Sequence, residues 1–190
     1  MGIVMKVLNR QYHRNQDREQ GFTLIELVIT IAIMVIIAAM AAPNMQKQIR
    51  QAKIKTAAND FATVFKDAKV QSVITQKSIK VVLTNTSTAK NLKLFNVGDN
   101  TSTATPQQTF NLDNSITLTA NPSTLTAVSF TPNKKAYQGD TGTGTLMGQD
   151  SNGAAMTTGF SVCLGTATQK YSVNVDANGN VSTQANGICP

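Results

Sequence analysis

The sequence predicts an α+β protein in which one long N-terminal helix precedes an antiparallel β-sheet head. Three observations carry this prediction. Residues 22–42 are almost continuously apolar, broken only by Thr23, Glu26 and Thr30. Residues 43–76 keep apolar side chains at helical spacings of three and four. From residue 77 the spacing shortens to two, and Gly, Asn, Asp and Pro break the chain into short pieces. A length of 190 residues with 41% hydrophobic composition suffices for one packed domain and an appendage.

The apolar run predicts a transmembrane helix over 22–42. At about 1.5 Å per residue it reaches ~31 Å, the thickness of a bilayer core. A buried core helix would show a polar face, and this run has none. A secretory signal is the other reading. Ala39-Met40-Ala41 loosely fits its cleavage site, but its apolar region usually runs only about 7–15 residues. Charge does not orient the span, because Lys6, Arg10, Arg14 and Arg18 before it match Lys47, Arg50, Lys53 and Lys55 after it.

Beyond the run, Ile54, Ala58, Phe61, Phe65, Ala68 and Ser72 form a stripe flanked by Ala57 and Val64. That stripe predicts an amphipathic stem helix over 43–76 that buries its apolar side in a core. Pro43 lacks an N–H and disfavours helix for Ala42, so a kink or break is expected there. Strands are expected over 78–84, 92–97, 115–120, 125–131, 160–164, 170–175 and 180–183, giving five to seven in a head of residues 77–190. Residues 98–109, 133–144 and 148–159 read as loops, and Asp176-Ala177-Asn178-Gly179 as a hairpin turn.

A formal charge of +7 suggests nucleic acid at first sight. Its distribution argues otherwise. Residues 43–83 hold eight basic and two acidic residues, whereas 84–190 hold five of each. The basic residues of 43–83 lack interleaved aromatics, and they suit a solvated face beside anionic headgroups better than a nucleic-acid track. No metal-ligand cluster is present, and Gly139–Gly148 has no Lys-Ser/Thr ending for a phosphate cradle. No cofactor is expected.

The junction Gly21-Phe22-Thr23-Leu24-Ile25-Glu26, with a polar leader before it and a long apolar run after it, resembles the type IV prepilin and pseudopilin family. The resemblance implies a pilin-like lollipop of helix stem and sheet head. It implies that residues 1–21 are a leader cleaved after Gly21 by a prepilin peptidase, which also methylates Phe22 as the new N-terminus. Glu26 stands at the acid's position and Pro43 where many members soften the helix. The implied location is the inner membrane as a single pass with the head in the periplasm, and then a filament. The implied partners are other minor pilins or pseudopilins and the major subunit, through helix packing. The only histidine, His13, would leave with the leader, which removes any Ser-His-Asp or Cys-His mechanism and leaves a non-enzymatic subunit.

A carboxylate at mid-membrane costs roughly 2.5–3.5 kcal/mol on insertion scales. Glu26 sits only about 6 Å into the run, where snorkelling reduces that cost. It reads either as an interfacial acid without a role or as the ion-pair partner of the α-amine that cleavage would create at Phe22. A head outside the membrane is in oxidising territory, so a Cys163–Cys189 disulfide is expected, the alternative being two buried thiols. The head weakly resembles H-type pseudopilins and FimT/FimU-type minor pilins through Ala127–Asn133 and Tyr171–Gly179, with Asn133 where Gly is common. After Gly179 come Asn180, Val181 and Ser182, where DNA-uptake members carry Arg, so a nucleic-acid partner is not expected. The readings left open are a type IV pilus minor pilin and a type II secretion pseudopilin.

Overall fold

The computed structural model describes residues 22–165 and 168–190, with the side chains of 41–44 outside the description. The expected leader, Gly21 included, and the Pro43 side chain therefore lie outside the described residues. The chain divides into two units, residues 1–42 and 43–190. Each is taken by itself.

Helix α1 is Leu24–Thr75. In the first unit Thr23 caps it: its Oγ1 accepts the Glu26 N–H at 3.2 Å, and its carbonyl accepts the Leu27 N–H at 3.2 Å. Glu26 in the first turn suits the positive end of the helix dipole. Every described residue of 22–40 is exposed, Leu24 to 82% and Ile37 to 61%. A helix that is apolar all round and bare of protein is stable only where lipid or other helices replace water. Among the described residues no single helix is long and apolar enough to cross a membrane. Leu24–Met40 and Met45–Thr75 meet that requirement only together.

Among the described residues the second unit contains nine strands: β1 (Ile79–Asn85), β2 (Lys90–Asn96), β3 (Gln108–Asn111), β4 (Thr117–Asn121), β5 (Ala127–Phe130), β6 (Ala136–Gln138), β7 (Gly159–Cys163), β8 (Gln169–Val175) and β9 (Val181–Ile188). They form two antiparallel sheets, ordered β3-β2-β1-β5-β6 and β4-β7-β8-β9. The antiparallel sheet head is as expected, while the count of five to seven strands is exceeded and one strand end moves. β6, and all but two residues of β3, fall where the sequence lacks alternation, because each buries almost nothing: β3 half-buries Phe110 alone and β6 buries only Ala136. β9 runs five residues past its expected end through a neutral stretch with no apolar period.

The helical stripe behaves as expected. Ile54, Ala58, Phe61, Phe65, Ala68 and Ser72 are all buried. They meet Ile79 and Val81 of β1, Val128 and Phe130 of β5, Phe160 and Val162 of β7, and Val173 and Val175 of β8. Four rings hold the centre. Phe61 meets Phe65 and Phe160 edge-on at 5.1 Å, while Phe65 stacks on Phe160 at 5.5 Å and lies 6.2 Å from Phe130. The helix stops at Gln76, whose φ of 54° breaks the helical path and whose side-chain amide donates to Val73 O at 2.7 Å. β7 needs glycine at its start: a Cβ on Gly159 would lie 2.2 Å from Val173 O on the paired strand β8.

Phe65→Ala removes the ring that touches both sheets. It should cost about 3–5 kcal/mol, read as an earlier midpoint in denaturant unfolding of the full chain, whereas exposed Thr63→Ala should change little.

Candidate assembly site

The N-terminal junction has a simple geometry. Phe22 is exposed to 82% just before α1, and Glu26 lies four residues on, in the helix's first turn. No ion pair among the described residues involves Glu26. The carboxylate therefore stands in the first turn of α1, four residues after Phe22, and is the one charged group over 22–40. Such a group can bind a nearby cation once water is excluded.

Lys47, Arg50, Lys53, Lys55 and Lys66 on α1 are exposed, as expected for a solvated face. Lys80 departs from that reading. Although counted with the stem's charge, it sits in β1 at 3% exposure. Its ammonium donates to Asp99 O at 2.7 Å and faces Asp140 Oδ2 at 3.9 Å, the one ion pair among the described residues. It ties two loops together and presents no charge to a ligand.

The β8–β9 hairpin is built around Asp176, whose Oδ1 accepts the N–H groups of Asn178 (2.9 Å) and Asn180 (2.8 Å). Desolvation raises the Asp176 pKa most among single effects. The Asn180 backbone and side-chain donors, the Asn178 N–H and Lys69 together outweigh it, so the carboxyl falls below its ordinary value. Gly179 closes the turn at φ 65°, and a Cβ there would lie 3.2 Å from Phe130 Cδ1. The turn has no cation of its own, but the fold brings two to it. Lys69 Nζ donates to Asn180 Oδ1 at 3.1 Å, and Lys135 Nζ to Asn178 Oδ1 at 2.8 Å. Sequence reasoning missed both, since Lys69 is 111 residues from its partner. In the Ala127–Asn133 segment Val128 and Phe130 are core residues of β5, and the left-handed residue of the following turn is Lys134 (φ 62°) rather than Asn133.

A groove of about 430 Å³ runs between α1 and the loop after β3, floored by Ile49, Ala57, Phe110, Leu112, Ile116 and Leu164. Lys53, Asp60 and Asp113 edge it. Asp113 is held below its usual pKa by the Ser115 N–H and hydroxyl, with Lys53 and Lys90 assisting against desolvation. Among the described residues no group of three His, Cys, Asp or Glu could hold a metal ion.

Cys163 and Cys189 form the expected disulfide, with Cα atoms 5.7 Å apart. The bond crosses from β7 over β8 to the tail beyond β9, where the Cys189 N–H also donates to Thr168 O at 2.8 Å.

Residues 16–42 match the prokaryotic N-terminal methylation motif. The motif covers the junction and the apolar run, and the fold is like that of a solved type IV minor pilin. Among particular proteins, the chain is similar to the type IV minor pilin FimU of Pseudomonas aeruginosa PAO1 in two crystal forms. One superposes with a TM-score of 0.52 at 15% identity, covering 72% of this chain and 99% of FimU. The other gives 0.54 at 14% identity, covering 73% and 96%. It is also 32% identical over 89 residues to "Prepilin peptidase-dependent protein A" of Clostridium perfringens (strain 13 / Type A). That match covers 45% of this chain and 62% of the relative, so the chain spans less than two thirds of the relative's length.

Cys163→Ser with Cys189→Ser opens a loop whose ends are 26 residues apart. The double variant should lose about 3–4 kcal/mol in the chain-entropy account, read as a lower melting temperature equal to that of the reduced parent chain.

Proposed function

We propose that the chain is a non-enzymatic minor-pilin-type subunit. A prepilin peptidase cuts it after Gly21 and methylates Phe22. The apolar helix anchors it in the inner membrane as a single pass, with the head in the periplasm. Helix packing then carries it into a filament with other minor pilins and the major subunit, in pilus biogenesis. The observation that carries this reading is the exposed apolar run of 22–40 with Glu26 four residues after Phe22, inside the methylation motif. The fold likeness to FimU favours a pilus over a type II secretion filament, since FimU is a type IV minor pilin. The DNA-uptake reading stays disfavoured. The two lysines at the last hairpin point their ammonium groups at Asn side chains, and no arginine follows Gly179.

Glu26 is assigned the α-amine of Phe22, its own or a neighbour's. Burying one charge of such a pair without the other is strongly unfavourable, by about 3–5 kcal/mol. Pro43 is assigned the softening of the helix where the apolar and amphipathic parts meet.

Glu26→Gln should leave expression, leader removal and membrane insertion unchanged while depleting the chain from sheared filaments. Normal incorporation would contradict the ion pair. Deletion of the gene should reduce surface pili and twitching with exoprotein release unaffected. Exoproteins retained behind intact pili would instead place the chain in the secretion machine.

A further inference from the structure

The sequence contains three Asn-Gly pairs, Asn152-Gly153, Asn178-Gly179 and Asn186-Gly187. Each could undergo the same spontaneous reaction, because glycine has no side chain to hinder attack by its own nitrogen. In that reaction the glycine N–H nitrogen attacks the asparagine side-chain carbonyl carbon. The new C–N bond closes a five-membered imide, and the side-chain nitrogen leaves as ammonia with the proton from the glycine amide. Water then opens the imide at either carbonyl, giving aspartate or isoaspartate. The reaction needs only water. It also needs the glycine nitrogen to be free and the asparagine side chain to swing towards it.

The fold treats the three pairs differently. The first two occupy the same turn, written Asp-x-Asn-Gly. Asp150 Oδ1 accepts the N–H groups of Asn152 and Ala154 at 2.8 Å each, as Asp176 Oδ1 accepts those of Asn178 and Asn180. In both turns the glycine N–H is spent on the aspartate carbonyl: Gly153 to Asp150 O at 3.0 Å and Gly179 to Asp176 O at 2.9 Å. At the second turn the Asn178 side chain is also held by Lys135. The attacking nitrogen and the turn backbone are thus fixed by hydrogen bonds that the imide would break.

The third pair has no aspartate frame. Gln184, not an aspartate, stands two residues before Asn186. Asn186 and Gly187 fall inside the register slip of β9, between Ala185 paired with Tyr171 and Ile188 paired with Gln169. Both are exposed, and nothing lies within 4 Å of a Cβ placed on Gly187. β9 is also an outer strand of its sheet, with no neighbour on its far side.

We infer that Asn186 is a self-modification site, which converts to aspartate or isoaspartate ahead of Asn152 and Asn178. The change matters because of where it falls. β9 carries no charged residue over its eight positions. The other outer strands, β3, β4 and β6, are only four, five and three residues long, and Pro106, Pro122 and Lys135 stand near or beside them. Short length, proline and lysine are the usual means of blunting a sheet edge, and β9 has none of them. Conversion gives this uncharged edge a fixed negative charge, three residues before the disulfide-held Cys189.

The test uses the purified full chain in detergent, aged at mildly alkaline pH and sampled over time. After reduction and digestion, mass spectrometry with isoaspartate-sensitive fragmentation reads all three sites in the same molecules. Conversion at Asn186 should precede that at the other two sites, and Asn186→Gln should abolish the early product alone. Conversion at Asn152 or Asn178 as fast as at Asn186 would overturn the inference. So would an unconverted Asn186 over a period in which a free peptide of residues 181–190 converts fully.

Discussion

One helix face must serve two sheets, and the phenylalanine cluster is how it does so. A helical apolar stripe is only about 100° wide, so a residue that touches both sheets must stand near its middle. Phe65 is that residue, stacked on Phe160 of β7 and tilted against Phe130 of β5. Small side chains flank it: Ala57, Ala58, Ala62 and Ala68 are all buried and let both sheets approach the helix backbone. Even the last turn of the chain is placed by this cluster, since Gly179 closes directly over Phe130.

Around that core, the second unit is held more by hydroxyl and amide hydrogen bonds than by charge. Buried Thr158 accepts the Gly148 N–H at 2.6 Å and donates to Val175 O at 3.0 Å, which fastens a long loop to β8. Ser129 does the same for the loop after β6, donating to Gly139 O at 2.6 Å. Ser72 reaches Lys69 O (2.7 Å) and Thr131 O (3.3 Å), joining helix to turn. Short strands bury too few apolar residues to fix their connections, so buried hydroxyls supply the missing partners. A composition rich in Thr, Ser and Asn follows from that need as well as from exposure.

Much of this was legible in the sequence. The helical stripe was readable because Phe61, Phe65 and Ile54 repeat with the helix period over a long stretch. β1, β7 and β8 were readable because β-branched and aromatic residues cluster between turn formers. β3 and β6 were not, because a strand that buries one residue leaves no period. The junction residues Phe22 and Glu26 were legible as local pattern, and so was the disulfide once the head was expected outside the membrane. Lys69, Lys80 and Lys135 were not legible: their partners are distant in sequence, and a lysine that donates to a carbonyl or an amide looks in sequence like any surface cation.

The bond between Cys163 and Cys189 has a mechanical meaning too. In the proposed filament, a pull on this chain would enter through α1 and travel along the backbone to find something to unravel. The segment between the two cysteines, 26 positions apart, is out of that path, which withholds about 90 Å of extensible chain at roughly 3.3–3.6 Å per residue. The tail cannot peel from β8 under load, and the first elements available to yield are the pairings of β1 next to the helix end. The covalent clasp therefore sets an upper limit on how far the second unit can stretch.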